Sequence, residues 1–158
     1  MNWPILSLLI WLPIIGGLVV IAAGEQRASL ARLLALLVSG LTFVLSIFLY
    51  AAFDTSTAAM QFTEIKPWIA TFDIWYFLGV DGFSVPLILL TTFFGVLVVI
   101  AGWQVIQVKV HQYMAAFLIM EGLMVGVFSA LDALLFYVFF EAMLIPMFLV
   151  IGMWGGPR

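Results

Sequence analysis

Five apolar stretches constrain this chain more than any other feature, because each is close to the length of about 20 residues that a helix needs to cross a bilayer at 1.5 Å rise per residue. They run at about 3–23, 30–53, 83–106, 113–130 and 133–154. The first carries no charge and ends in Gly24-Glu25-Gln26-Arg27-Ala28-Ser29, a turn by composition. The third begins after Asp81-Gly82, where Ser84 can cap a first turn that also accommodates Pro86, and Asp132 is placed to cap the fifth. Residues 54–82 hold Asp54, Glu64, Lys66, Pro67, Asp73 and Asp81, too polar to insert and too long for a tight turn, and read as a surface loop. Ile74-Trp75-Tyr76-Phe77-Leu78 within it is either a short extended piece or chain lying along the headgroups, and no ligand site is read there. Of the 158 residues, 66% are hydrophobic and 8% charged, beyond the range of a soluble domain. The expected fold class is therefore all-α, a polytopic transmembrane helix bundle, with 1–158 as one membrane domain.

The charge balance and residue inventory then exclude several kinds of function. Five basic against eight acidic residues give a net charge of −3, the wrong sign for a nucleic-acid binder. There is no Cys and a single His, His111, so this chain has no thiolate or two-His set for an iron–sulfur cluster, a haem or a zinc ion. No Gly-rich phosphate loop follows a strand, and no Ser/His/Asp set is present. Arg27, Arg32, Lys109 and Arg158 fall on one side of a five-span chain, opposite Lys66 alone. Because basic loops stay in the cytoplasm, the N-terminus and the 54–82 loop are expected outside and the C-terminus in the cytoplasm. The N-terminus lacks the basic region of a cleavable signal, so the first span is expected to remain as an anchor. Trp3, Trp68, Trp75, Tyr76, Trp103, Tyr113 and Trp154 lie at or near span ends, as an interfacial aromatic belt requires.

Two carboxylates sit where the bilayer makes charge expensive. Glu121 lies eight residues into the fourth span, about 12 Å from its edge, and Glu141 nine residues beyond Asp132, about 13 Å from the opposite edge. Either would cost about 2.5–3.5 kcal/mol or more if charged and facing lipid, so both are expected to face protein or water. A carboxyl group in that position can take up and release a proton, as a proton relay needs; the plainer alternative is a packing element hydrogen-bonded to a neighbouring helix. Pro146, five residues after Glu141, leaves the Ala142 carbonyl without its helical donor and can kink the helix or open a polar patch, although Pro in membrane helices is often only structural. Tyr137 is one turn before Glu141 on the same face, a relay hydroxyl or ordinary packing. Gly122 and Gly126 form a small-residue surface that admits another helix. No Lys or Arg is expected within a span, so a basic partner for either acid has to come from elsewhere. Gly155-Gly156-Pro157-Arg158 follows a span end directly and reads as a connecting loop, which leads us to expect part of a longer polypeptide.

The stretch Phe136-Tyr137-Val138-Phe139-Phe140-Glu141-Ala142-Met143-Leu144-Ile145-Pro146-Met147, followed by Ile151-Gly152-Met153-Trp154-Gly155-Gly156, resembles chain M of the antiporter-like membrane subunits of respiratory complex I, the proton-pumping NADH:quinone oxidoreductase. Gly79-Val80-Asp81-Gly82-Phe83-Ser84-Val85-Pro86-Leu87 and Glu121-Gly122-Leu123-Met124-Val125-Gly126-Val127-Phe128 resemble it too, and the first 77 residues agree mainly in pattern. The resemblance implies that Glu141 matches the family's fifth-helix glutamate, which pairs with a lysine on a later helix in the proton path, and that Glu121 matches a fourth-helix acid of many bacterial relatives. It further implies a subunit with no redox centre of its own, its partners being the lipid bilayer and other membrane subunits of the complex, neighbouring antiporter-like ones above all. NADH, FMN, iron–sulfur clusters and quinone would then belong to other subunits, and the location would be a bacterial inner membrane in preference to a mitochondrial one. A subunit of a multisubunit cation/proton antiporter shares the fold and the buried glutamate, and a non-catalytic scaffold is a third reading.

Overall fold

The first apolar stretch forms α1 (Ile5–Ala23), and the next forms α2 (Ala28–Ala52). Two strands, β1 (Gln61–Ile69) and β2 (Ile74–Val80), precede α3 (Ser84–Val105), α4 (Val110–Ser129) and α5 (Ala133–Trp154). This computed structural model describes residues 4–23, 28–53, 60–69, 74–82, 84–105 and 110–154. All five helices are long and apolar enough to cross a membrane. Trp3 and the basic residues Arg27, Lys109 and Arg158, on which the orientation argument turns, lie outside the described residues.

α4 is the hub, since it packs against each of the other four helices. More than half of its span is buried (56%), against 17% for α5, which leans on α4 and β2 and leaves most of its surface open. Lipid is as apolar as leucine, so close backbone approach and hydrogen bonds do the work that the hydrophobic effect does in water. Glycines supply that approach. A Cβ at Gly122 would collide with the Ile10 carbonyl oxygen and lie 2.6 Å from Ile14 Cγ1, and one at Gly17 would lie 2.7 Å from Ile119 Cγ1. A Cβ at Gly126 would meet the Phe139 ring at 2.8 Å. The expected small-residue surface therefore receives two helices, α1 at Gly122 and α5 at Gly126. On the other flank the buried hydroxyls of Ser46 in α2 and Thr92 in α3 share a 2.7 Å hydrogen bond.

Three local expectations are corrected. Asp81, not Ser84, caps α3: its Oδ1 accepts from the Ser84 amide and hydroxyl, both at 3.0 Å. A carboxylate offers stronger acceptors to free first-turn amides than a hydroxyl that is itself satisfied. Arg32 lies inside the α2 helix, contrary to the expectation of no basic residue within a span, since position 32 already falls in the first turn of the expected 30–53 stretch. His111 is likewise inside α4, and is buried with no hydrogen-bond partner at Nδ1 among the described residues. Asp132 does cap α5, accepting from the Leu134 and Leu135 amides at 2.9 and 3.2 Å.

The segment read as a surface loop contains an antiparallel hairpin, so the fold is helical with one small sheet. The extended reading of residues 74–78 is the one the structure shows; β1 has no clean alternation and went unread. Between the pairs Gln61–Val80 and Glu64–Leu78 the register slips, and Phe62 takes φ 57°, a left-handed conformation unusual for a residue with a Cβ. The hairpin is anchored on the bundle: Leu131 donates its amide to the Phe77 carbonyl at 2.8 Å, and Leu78 bridges Ala130. Leu78 and Val80 are fully buried in a cluster with Ile5, Leu9, Ile88, Leu123 and Phe139, which fuses the sheet to the helix ends.

Candidate functional site

Glu121 lies near the middle of α4, eleven residues after Val110 and eight before Ser129, which is about 16 and 12 Å along the axis. It is 4% exposed, and neither carboxyl oxygen has a hydrogen-bond partner among the described residues. What makes room for it is the absence of a side chain on the facing helix. A Cβ at Gly95 of α3 would stand 2.6 Å from the Glu121 carboxyl carbon. The carboxyl therefore fills a notch in α3, at the floor of a crevice of about 350 Å³ lined by Leu87, Leu90, Thr91, Phe94, Val98, Phe117, Met120, Met124 and Phe128. Thr91 is the other polar side chain of that wall, and its hydroxyl is committed to the Leu87 carbonyl at 2.8 Å. Such a carboxyl can hold or release one proton and offers two free acceptor sites. The expectation that Glu121 faces protein is met; Gly95, which creates its place, escaped notice because a lone Gly in an apolar run carries no periodic signal.

Glu141 is placed differently. It sits two turns into α5 on the exposed face, and the residues around it, Ala142, Leu144, Ile145, Phe148 and Leu149, all belong to α5 itself. No second element closes over it among the described residues, so of the expected protein or water surroundings this chain does not itself supply the protein. The reason is packing: α5 is the edge helix, and the side that meets α4 is marked by Leu135 and Phe139. Tyr137 shares the open face, 56% exposed, and makes no hydrogen bond to Glu141 among the described residues. Pro146 is on the buried side, and α5 continues helical through it to Trp154. Glu121 and Glu141 thus do not form one site here. Among the described residues no group of three His, Cys, Asp or Glu side chains could hold a metal ion.

A second polar cluster was missed entirely. Glu64, on the strand after the bulge, reaches the start of α1, where Oε2 accepts from the Leu6 and Ser7 amides at 3.0 and 3.1 Å and Oε1 accepts from the Ser7 hydroxyl. The Tyr76 hydroxyl lies 2.8 Å from Ser7 Oγ and accepts from the Trp11 indole N–H at 2.9 Å. Because the one Ser7 hydroxyl hydrogen goes to Glu64, Tyr76 donates to Ser7, giving the order Trp11, Tyr76, Ser7, Glu64. Burial raises the Tyr76 hydroxyl pKa, the Glu64 charge adds to the rise, and the bond that Trp11 donates to the phenolic oxygen lowers it. Tyr76 is therefore a clasp between hairpin and α1 and not merely part of an aromatic belt. Tyr113, near the start of α4, packs its ring over Gly102 of α3 and against Phe117, with ring centres 4.9 Å apart. The links of Glu64 and Tyr76 to α1 join residues 57 to 69 positions apart, which no local pattern reveals.

Fold and site together define a multi-pass membrane protein whose central helix carries a buried carboxyl group without a hydrogen-bond partner among the described residues. Residues 8–130 match the family model described as NADH-ubiquinone oxidoreductase chain 4, amino terminus. The chain is 46% identical over 156 residues to NADH-quinone oxidoreductase subunit M of Rhodobacter capsulatus, covering 96% of this chain and 30% of that one. It is 44% identical over 150 residues to NADH-ubiquinone oxidoreductase chain 4 of Arabidopsis thaliana, covering 95% and 30%. A chain in the structure of respiratory complex I from Thermus thermophilus with bound NADH superposes with a TM-score of 0.74 at 31% identity, over 96% of this chain and 30% of that one. The chain belongs to the NADH-ubiquinone oxidoreductase chain 4 family and corresponds to its amino-terminal part. It spans about 30% of the length of these relatives.

Proposed function

We propose that this chain works in the membrane arm of an NADH:quinone oxidoreductase, where it helps move protons across the membrane while quinone is reduced elsewhere in the complex. The observation that carries this reading is the Glu121 carboxyl, buried midway along the central helix with two unpartnered oxygens in a chain of the chain 4 family. A group at that depth that can alternate between a charged and a neutral form is an intermediate stop for a proton that could not rest in hydrocarbon. Glu141 is the second proton-bearing group in the proposal, and its open face is where a basic side chain from another segment or subunit would meet it. Tyr137 on the same face supplies a hydroxyl within one helical turn, and Pro146 leaves the Ala142 carbonyl free as an acceptor. The partners are then the neighbouring antiporter-like subunits, with NADH, FMN, iron–sulfur clusters and quinone held on other chains. The N-terminus and hairpin are placed outside, with the membrane a bacterial inner one.

Glu141→Gln and Glu121→Gln, each in the assembled complex in sealed vesicles, test this reading. Both substitutions keep size and hydrogen bonding and remove the titratable proton. NADH-driven quinone reduction and proton uptake should fall together in Glu141→Gln while assembly stays normal. Both activities at wild-type level in the double variant would leave the glutamates as packing elements and the chain as a scaffold. Loss of sodium tolerance alone, with NADH-driven reduction intact, would assign the chain to a cation/proton antiporter instead.

A further inference from the structure

Both Glu121 oxygens are sealed inside the protein with no hydrogen-bond partner among the described residues, so the carboxyl proton has no exit from the position it holds. A proton leaves an acid along a hydrogen bond, directly or through one water, at about 2.6–3.2 Å. The notch supplies no such bond: an ideal Cβ at Gly95 would stand 2.6 Å from the carboxyl carbon and 2.9 Å from Oε2, so the group lies against the bare main chain of α3. That position suits the neutral acid, since a carboxylate there would be a buried charge with no donor. An acceptor lies one turn away. Thr91 precedes Gly95 by four residues, about 6 Å along α3 and on the same face, and it lines the same crevice as Glu121. Its hydroxyl donates to the Leu87 carbonyl at 2.8 Å and keeps lone pairs with which it can accept. No other side chain of the crevice does as well. Met120 and Met124 carry weak thioether acceptors, the remaining side chains are hydrocarbon or aromatic, and none but Glu121 titrates. The neighbouring hydroxyl of Thr92 is turned to α2, where it shares its 2.7 Å bond with Ser46. The crevice, about 350 Å³ against about 30 Å³ for one water molecule, leaves the carboxyl room to swing between the helices.

We propose that Gly95 and Thr91 are positioning residues that gate the Glu121 proton: the Gly95 notch holds the carboxyl closed to exchange, and a swing along α3 to the Thr91 hydroxyl opens it. In the closed position the acid keeps its proton. In the open position its O–H donates to Thr91 Oγ1, within reach of a water or a further acceptor, and the proton can be handed on. The missing side chain of Gly95 is required for the first position and the Thr91 hydroxyl for the second. The use of this gate in proton translocation rests on the function proposed above, whereas the gate itself is built from α3 and α4 alone and needs no open outer face of the crevice.

The test follows the infrared carboxyl band of Glu121, the one lost in Glu121→Gln, after native membranes containing the chain are moved into heavy water without NADH. In the unaltered protein this band should take its deuterated position later than the accessible carboxyl groups of the same membranes. Gly95→Ala fills the notch and should speed the change at least about tenfold, as expected when the closed position is overpacked. Thr91→Val keeps the shape, removes the acceptor and should slow the change about threefold to tenfold, the worth of one hydrogen bond, with Thr91→Ser restoring the rate. A band deuterated at once in the unaltered protein, a rate unchanged in Gly95→Ala, or equal rates in Thr91→Val and Thr91→Ser would each overturn the proposal. The lack of any Glu121 carboxyl band would overturn it as well, since the group in the notch would then be a carboxylate. NADH-driven proton uptake by the same membranes separates the two claims: uptake unaffected by Glu121→Gln, with the exchange rates as expected, would sink the proposed function and leave the gate standing.

Discussion

The Glu121 carboxyl group occupies the space that a side chain at Gly95 would take, with only 2.6 Å between its carbon and an ideal Cβ there. In Gly95→Ala the end of a flexible side chain has to move, and the move is cheap: helix propensity gains up to about 1 kcal/mol, against about 1–3 kcal/mol for overpacking. Stability should therefore change by no more than about 2 kcal/mol, while the carboxyl is pushed out of the notch toward the crevice. The infrared carboxyl band that disappears in Glu121→Gln should shift in Gly95→Ala, and an unshifted band would place the carboxyl elsewhere. In a Glu121→Ala background the same Gly95→Ala change should be neutral or stabilising, since all three atoms nearest the added methyl are those of the Glu121 carboxyl group.

Gly122 and Gly126 are one turn apart but should respond unequally. At Gly122 the obstruction is the Ile10 main-chain carbonyl of α1, backed by Ile14 and Pro13. Backbone cannot swing aside, so Gly122→Ala has to push α1 off α4 and should cost about 2–3 kcal/mol or more. At Gly126 the obstruction is the Phe139 ring, which can tilt, and about 1–2 kcal/mol is expected. Unfolding of the reconstituted protein by a denaturing detergent would rank the two; equal losses would remove the argument that α1 and α4 meet backbone to side-chain gap.

The helices and the position of both glutamates along them were legible because bilayer thickness imposes a length, and five apolar runs meet it. The partners of those glutamates were not legible. Glu121 lies inside because α4 is central and Glu141 outside because α5 is at the edge; α4 is the less apolar of the two, with a mean hydropathy of 1.4 against 2.4, but that difference names no neighbour for either carboxyl. The hairpin was half visible: β2 carries an aromatic extended run, whereas β1 interrupts itself with Glu64, Lys66 and Pro67. Those polar residues argued for a loop when Glu64 is in fact spent on α1.

Glu64 closes the free amides at the start of α1, a duty that a local Ser, Thr, Asp or Asn usually performs. Glu64→Ala should expose the Leu6 and Ser7 amides and cost about 1–2 kcal/mol, the range for loss of an N-cap. Glu64→Gln keeps one acceptor and should lose roughly half of that. Amide hydrogen exchange at Leu6 and Ser7 should speed up in the order wild type, Gln, Ala, with the mid-helix amides of α4 unaffected. Uniform acceleration throughout the bundle would mean that the contact supports the whole fold and not one helix end.

Tyr76 makes the same clasp sensitive to alkali. Its neutral hydroxyl both donates to Ser7 and accepts from Trp11, and burial raises its pKa above the ordinary value of 10.0. A raised value in the folded state means that the fold prefers the protonated phenol, so its contribution is complete below pH 10.0 and is lost as pH rises through the higher folded value. Above that point the phenolate can no longer donate to Ser7, and its charge faces the Glu64 carboxylate across the Ser7 hydroxyl. Hydrogen-exchange protection of the Leu6 and Ser7 amides, measured in vesicles across the alkaline range, should therefore drop in a step, and the hairpin amides should follow. Tyr76→Phe should show weaker protection at neutral pH, having lost both hydrogen bonds, and no such step. A step of the same size in Tyr76→Phe would transfer the alkaline transition to another group and leave Tyr76 a packing residue.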